Sequence, residues 1–145
     1  MDQPNLADFH FFTPIQIRFS DIDGYMHVNN GVYFNYFEHA RADFLYRHCD
    51  WNIMETGTVV AKIEINYFRP VHLHDQLKIG VRVARIGNSS FALEQVLFGN
   101  DGSGKDQLFA SCHCVMVSVN MKNMKPVSIP VAQRAKLEEM PEKTA

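Results

Sequence analysis

The sequence predicts an α+β fold in which one long central helix is wrapped by a curved antiparallel sheet of about five strands. Two observations carry that expectation. Apolar residues recur at three- and four-residue steps between Asn30 and Arg47, and after Gly57 the apolar period drops to two and stays there. The connections between the later runs are short, which favours antiparallel neighbours, and a lone long helix must cover one sheet face.

Taken in order, the 145 residues suit one domain, 1–145, large enough to bury a core without staples. Residues 1–12 read as a loose N-terminal arm or a short lead-in. Thr13 to Ser20 alternates Ile15, Ile17 and Phe19 with Gln16 and Arg18, which is strand period. DIDGYMHVNN follows, rich in turn formers and ending in two asparagines suited to a helix N-cap. In the helix, Val32, Tyr33, Tyr36, Phe37, Ala40, Phe44 and Leu45 form the apolar stripe; Phe34 and Tyr46 widen it, so the helix is expected to be largely buried. The next strand sets Val59, Ala61, Ile63, Ile65 and Tyr67 on one face and ends at Pro70. Leu77, Ile79, Val81 and Val83 lead to the Gly87-Asn88 turn, and Phe91, Leu93 and Leu97 to the turn-rich NDGSGKD. Leu108 to Asn120 is the last strand, and residues 130–140 form a short helix with proline near its first turn. One helix leaves part of such a sheet uncovered, and an open edge invites pairing. A homodimer or homotetramer with joined edge strands is therefore expected.

Composition narrows the function. The net charge of -2 and the absence of a basic stripe argue against nucleic acid as a partner. No apolar stretch approaches the roughly 18 residues that span a bilayer, so no membrane partner is expected. The opening MDQPNLADFHFF lacks a basic n-region, and the three cysteines, Cys49, Cys112 and Cys114, are sparse and odd in number; both point to the cytoplasm. Cys112 and Cys114 share a strand face and are poorly placed to bond each other. His72-x-His74-Asp75 is the nearest approach to a ligand cluster, but it lacks a partner, and no metal is expected.

The informative segment is RFSDIDGYMHVNNGVYFNYFEHAR, Arg18 to Arg41. It resembles the signature of hot-dog-fold acyl-CoA thioesterases of the 4-hydroxybenzoyl-CoA thioesterase type. It is also similar to the plant acyl-carrier-protein thioesterases, where an Asp-x-Asp likewise precedes His-Val-Asn-Asn. The resemblance continues through NYFRPVHLHDQLKIGVRVARIGNSSF and covers about Thr13 to Pro130. It implies hydrolysis of an acyl-CoA or aryl-CoA thioester, with coenzyme A brought in by the substrate and no cofactor. It also implies that Asp23 is the catalytic carboxylate.

The chemistry suits those residues. A thioester carbonyl is electrophilic and thiolate leaves well, so one base or nucleophile and one oxyanion donor suffice. Asp23 precedes a helix and feels the positive end of its dipole, while free N–H groups near Asn30 and Gly31 can hold a developing oxyanion. Asp21 is expected to order the loop as an Asx turn. His27 either joins Asp23 in contacting substrate or orients it; the plant enzymes carry asparagine two residues before this histidine, where this chain has Tyr25. Asn29 and Asn30 read as helix caps, with Asn29 also within reach of substrate. Tyr33 and Tyr36 are core or acyl-pocket wall, and Glu38 and Arg41, three apart, can pair. Arg85, Ser89 and Ser90 are candidates for the phosphates of coenzyme A. Two other readings stay open on the same fold: an enoyl-thioester hydratase or dehydratase, and a non-catalytic acyl-CoA-binding protein.

Overall fold

The computed structural model describes residues 3–100 and 102–141. Residues 1 and 2 of the expected arm, Asp101 of the NDGSGKD turn and residues 142–145 lie outside the described residues. The elements are β1 (Phe11–Ile15), α1 (Val32–Arg47), β2 (Thr56–Tyr67), β3 (Gln76–Ile86), β4 (Ser90–Asn100), β5 (Gln107–Asn120) and α2 (Val131–Glu138), with short 3-10 turns at Leu6–Asp8 and Phe19–Asp21. The five strands form one antiparallel sheet in the order β1-β3-β4-β5-β2, the hot-dog arrangement that the sequence implied.

The core lies between α1 and one sheet face. Tyr33, Tyr36, Phe37, Ala40, Arg41, Phe44 and Leu45 of α1 are buried there, at the three- and four-residue steps of a helical stripe. They pack on Leu77, Ile79, Val81, Phe91, Leu93, Leu97, Cys112 and Cys114. Only that stripe is covered. Phe34 and Tyr46 stay exposed, so the helix is less buried than its apolar content suggested. Arg41 does not pair with Glu38 either. It turns inward, where its Nη1 donates to Gln95 Oε1 at 3.1 Å, and Gln95 Nε2 donates to the Phe37 carbonyl at 2.9 Å.

Three further sequence expectations are corrected. The first strand runs from Phe11 to Ile15, earlier than expected, because its register on β3 ends at Ile15↔Leu77. Beyond it the Asp21 carboxylate accepts the Arg18 N–H at 3.0 Å and closes a 3-10 turn, which leaves Phe19 facing solvent. The arm is not loose: Phe9 packs with Val96 and Phe98 on the sheet face away from α1, where Gly80 leaves room for its ring. In β2 a bulge at Ala61 reverses the alternation. Val60 is paired with Met116 and Ile63 with Cys114, so Val60, Ile63, Ile65 and Tyr67 form the helix-side row, and Val59 and Ala61 leave it.

Two clamps complete the frame. Asp43 of α1 accepts from Thr13 Oγ1 at 2.6 Å and from Arg47 at 2.7 Å, tying β1 to the helix. Arg47's hydrogen bonds hold the Asp43 carboxyl below the usual carboxylate range, against the opposing effect of partial burial. At the other end, Arg134 of α2 donates to the Gly87 and Asn88 carbonyls in the β3–β4 turn. His48 Nε2 lies 2.9 Å from the Lys136 carbonyl and 3.1 Å from that of Glu139, so that nitrogen carries the proton and caps the end of α2.

Candidate active site

The chain between β1 and α1 folds into a small hairpin whose head carries Asp23. An antiparallel bridge between Ile22 and Val28 closes its stem, and the Asp23 N–H donates to the His27 carbonyl at 2.9 Å. Met26 takes a left-handed backbone (φ 64°) that completes the reversal, and its N–H bonds the Asp23 carbonyl at 3.0 Å. The carboxylate sits inside this ring. Its Oδ1 accepts from Tyr25 N–H at 2.9 Å and from His27 N–H at 3.4 Å, so the Asx turn expected of Asp21 forms on Asp23 instead, and the Asp21 carboxylate reaches back to Arg18 N–H. The Asp23 Oδ2 accepts from no described residue, and Asp23 is half-buried. One oxygen is locked and the other is unengaged among the described residues.

His27 meets Asp23 through its backbone; its ring instead stands edge-on against His72, with centroids 4.9 Å apart. The hairpin is anchored below by Val28 N–H on the Val71 carbonyl and by Asn29 N–H on the Asp21 carbonyl, both 2.9 Å.

α1 begins at Val32 with Gly31 at its N-cap and no side-chain cap bond, so neither asparagine caps the helix as expected, and the two have distinct jobs. Asn29 Oδ1 accepts the Gly31 N–H at 2.8 Å, while the Asn30 carbonyl accepts the Tyr67 hydroxyl at 2.8 Å. The amide proposed to meet an oxyanion thus already faces a side-chain oxygen, one that rotation about the Asn29 side chain can withdraw. Beside it lies a recess of about 270 Å³ lined by Asn30, Tyr33, Tyr67, Phe68, Arg69 and Pro70. Tyr33 is 2% exposed and its ring meets that of Tyr67 at 4.9 Å; burial pushes its hydroxyl above the usual phenol range. A second cavity, about 320 Å³, opens along the first two turns of α1 and is walled by Arg18, Asp21, Val32, Tyr36 and His39.

Asp23, His27, Asn29, Asn30, Gly31 and Tyr33 therefore share one end of the fold. Arg85, Ser89 and Ser90 do not join them. They sit at the β3–β4 turn, where a Cβ on Gly87 would lie 3.1 Å from Ser90 Oγ and 3.2 Å from Arg85 Nη1, so both groups converge over that glycine. The hairpin touches the residues just before β3, and Arg85 stands near that strand's end; at ~3.3 Å per residue the two are ~30 Å apart along it. The Ser89 carbonyl accepts Ser118 N–H, and Ser118 pairs with Thr58, so this turn flanks the start of β2 while Tyr67, by the hairpin end, closes it.

Among the described residues no group of three or more His, Cys, Asp or Glu could hold a metal ion, and no helix is long and apolar enough to cross a membrane. The sequence reading missed two contacts here: the Asn29 grip on Gly31, which an Asn two residues before a Gly could have signalled, and the Tyr67–Asn30 bond, which joins residues 37 apart and has no local signature.

Comparison with known proteins gives the same fold and a chemical direction. The model of the thioesterase-like superfamily matches residues 17–137. The long-chain acyl-CoA thioesterase FadM of Escherichia coli is 32% identical over 131 residues, spanning 88% of this chain and 97% of FadM. A Pseudomonas aeruginosa protein of known crystal structure superposes with a TM-score of 0.84 at 33% identity, covering 96% of each chain. A thioesterase from Thermus thermophilus, solved with coenzyme A and zinc, follows at 0.77 and 31% identity over 90% of this chain and 92% of that one.

Proposed function

Because this chain belongs to the thioesterase-like superfamily, we propose that it hydrolyses acyl-CoA or aryl-CoA thioesters, with Asp23 directing water onto the carbonyl. The observation that carries this reading is the asymmetric carboxylate. Two backbone amides fix Oδ1, so Oδ2 is aimed and free to take a proton from water. The hydroxide formed attacks the thioester carbon, and the carbonyl oxygen gains negative charge. Gly31 and Asn30 N–H at the positive end of α1 receive it, with Asn29 Oδ1 giving way. Collapse expels the coenzyme A thiolate, which takes up the proton, and leaves the free acid. The acyl group enters the recess walled by Tyr33 and Tyr67. Direct attack by Oδ2 would instead give an anhydride; a single turnover in ¹⁸O-water labels Asp23 only on that route.

The two halves of the site call for a second copy. β2 is an edge strand of 12 residues whose helix-side row is only half-covered, with Val60 45% exposed. Antiparallel pairing of β2 with its copy sets the start of one strand beside the end of the other. That brings one protomer's Arg85, Ser89 and Ser90 toward the other's Asp23, within reach of the phosphates at the far end of coenzyme A. The working unit on this reading is a homodimer, or a homotetramer of two such pairs. Coenzyme A arrives as part of the substrate, and no cofactor is required. The three cysteines are free and buried, which suits a cytoplasmic protein.

The test is thiol release across a series of acyl-CoAs, run beside Asp23→Asn and Asp23→Ala. Both variants should lose about a hundredfold or more in turnover, the usual worth of a general base. Full activity in either would remove Asp23 from the mechanism. Loss of the conjugated absorbance of crotonyl-CoA without thiol release would point to hydration instead.

A further inference from the structure

The base and the oxyanion donors stand on different pieces of structure. Asp23 rides on a hairpin head, while Asn30 and Gly31 lead directly into the rigid helix α1. Their mutual placement needs a tie between the two, and among the described residues one side-chain hydrogen bond runs from α1 to the hairpin stem. Tyr36 Oη donates to Asp21 Oδ2 at 2.5 Å. Tyr36 lies one turn along α1 from Val32 and is 6% exposed, so its ring is held by the core while its hydroxyl reaches back toward the helix start. The same Asp21 oxygen accepts the Arg18 N–H, and the Asp21 carbonyl accepts the Asn29 N–H directly before the oxyanion amides. Burial and the neighbouring carboxylate both push the Tyr36 hydroxyl up, so it stays a donor throughout the working pH range.

We propose that Tyr36 is a positioning residue: through Asp21 it fixes the distance between the Asp23 hairpin and the first amides of α1. Its hydroxyl is taken up by Asp21, so it acts through that carboxylate and not on the reacting atoms. The inference rests on the reading of Asp23 as the base, and it assigns the first aspartate of the Asp-x-Asp pair a role distinct from the second. A charge-assisted bond of this length is strong and geometrically demanding. Losing it lets the hairpin drift relative to the helix, and misplacement by about 1 Å can cost up to about a hundredfold in rate. Binding of the acyl and coenzyme A ends is made elsewhere and is unaffected.

Tyr36→Phe removes the hydroxyl and keeps the ring, Asp21→Ala removes the acceptor, and Asp21→Asn keeps one acceptor oxygen. Each is measured by thiol release, thermal melting and kcat and KM separately, alone and with Asp23→Asn. The expected result for Tyr36→Phe and for Asp21→Ala is a fall in kcat of about tenfold with KM within about twofold, within the range misplacement allows. The pair together should be no worse than the more damaging single change, and Asp21→Asn should recover most of the loss. In the Asp23→Asn background Tyr36→Phe should have no further effect, since there is no base left to position. Wild-type kcat in both Tyr36→Phe and Asp21→Ala, with Asp23→Asn inactive, overturns the proposal and leaves the base intact. Full activity in Asp23→Asn overturns the base itself. An equal further loss from Tyr36→Phe with and without Asp23 marks a purely structural tyrosine and also overturns it. If Tyr36→Phe fails to fold, the Asp21 variants decide.

Discussion

Replacing Gln95 by leucine tests how the core tolerates a charge. Arg41 is 4% exposed, and among the described residues its guanidinium makes one hydrogen bond, to the neutral amide of Gln95, which is itself 1% exposed. No carboxylate pairs with Arg41 among the described residues. Leucine is no smaller than glutamine, so no cavity opens; the main change is that a buried cation loses its acceptor, and the Phe37 carbonyl loses the Gln95 Nε2 donor as well. Removing one partner from a buried charged contact costs about 3 kcal/mol, between the worth of a bond to a charged group and that of a broken buried pair. Against a total of about 5–15 kcal/mol this is a large share. At a urea m-value near ~2 kcal/mol/M the midpoint should fall by about 1.5 M. Arg41→Met alone leaves Gln95 Oε1 without a donor, its Nε2 still held by the Phe37 carbonyl, but removes the buried charge, for a net loss of about 1 kcal/mol. The double variant makes both sites apolar and should return to within about 1 kcal/mol of the parent. The coupling between the two positions is then about 3 kcal/mol, well outside the spread of independent sites. Urea unfolding at one fixed protomer concentration measures all four proteins, since assembly makes stability concentration-dependent. A Gln95→Leu midpoint within error of the parent would refute the reasoning, as would a double variant less stable than Gln95→Leu.

Alkaline pH should destabilise the fold. Burial pushes the Cys49 and Cys112 thiols from the usual 9.0 up to about 12, and raises Tyr33 and Tyr36 as well. These groups hold their protons more tightly when folded, so their contribution is complete below pH 9.0 and is lost as pH rises toward 12. Urea midpoints between pH 7 and pH 11 should be level and then fall; a rise above pH 9 would contradict the assignment. Val60→Lys probes the edge: the residue is 45% exposed in one chain, so the monomer should tolerate it, yet a lysine there disfavours pairing of β2 with its copy. Mass by light scattering and thiol release should drop together, and an unchanged assembly with full activity would rule out the β2 junction.

Sequence alone determined the fold class, because both periodicities are properties of consecutive residues: the stripe from Tyr33 to Leu45 belongs to a helix, and the alternation of Leu77, Ile79 and Val81 to a strand. It placed an Asx turn in this loop but on the wrong aspartate: the amides two and four residues on close it around Asp23, while Asp21 accepts from Arg18 behind it and from distant Tyr36. Tertiary structure decided what depends on distant partners. The bulge at Ala61, which moves Val60 to the helix side, follows from register on β5. The inward turn of Arg41 depends on an acceptor 54 positions away, and the early end of β1 on where β3 stops offering a ladder. The separation of Arg85 from Asp23 is of the same kind. A strand carries its two ends apart by its own length, and residues that read as one site in a line of text come to lie at opposite ends of the sheet.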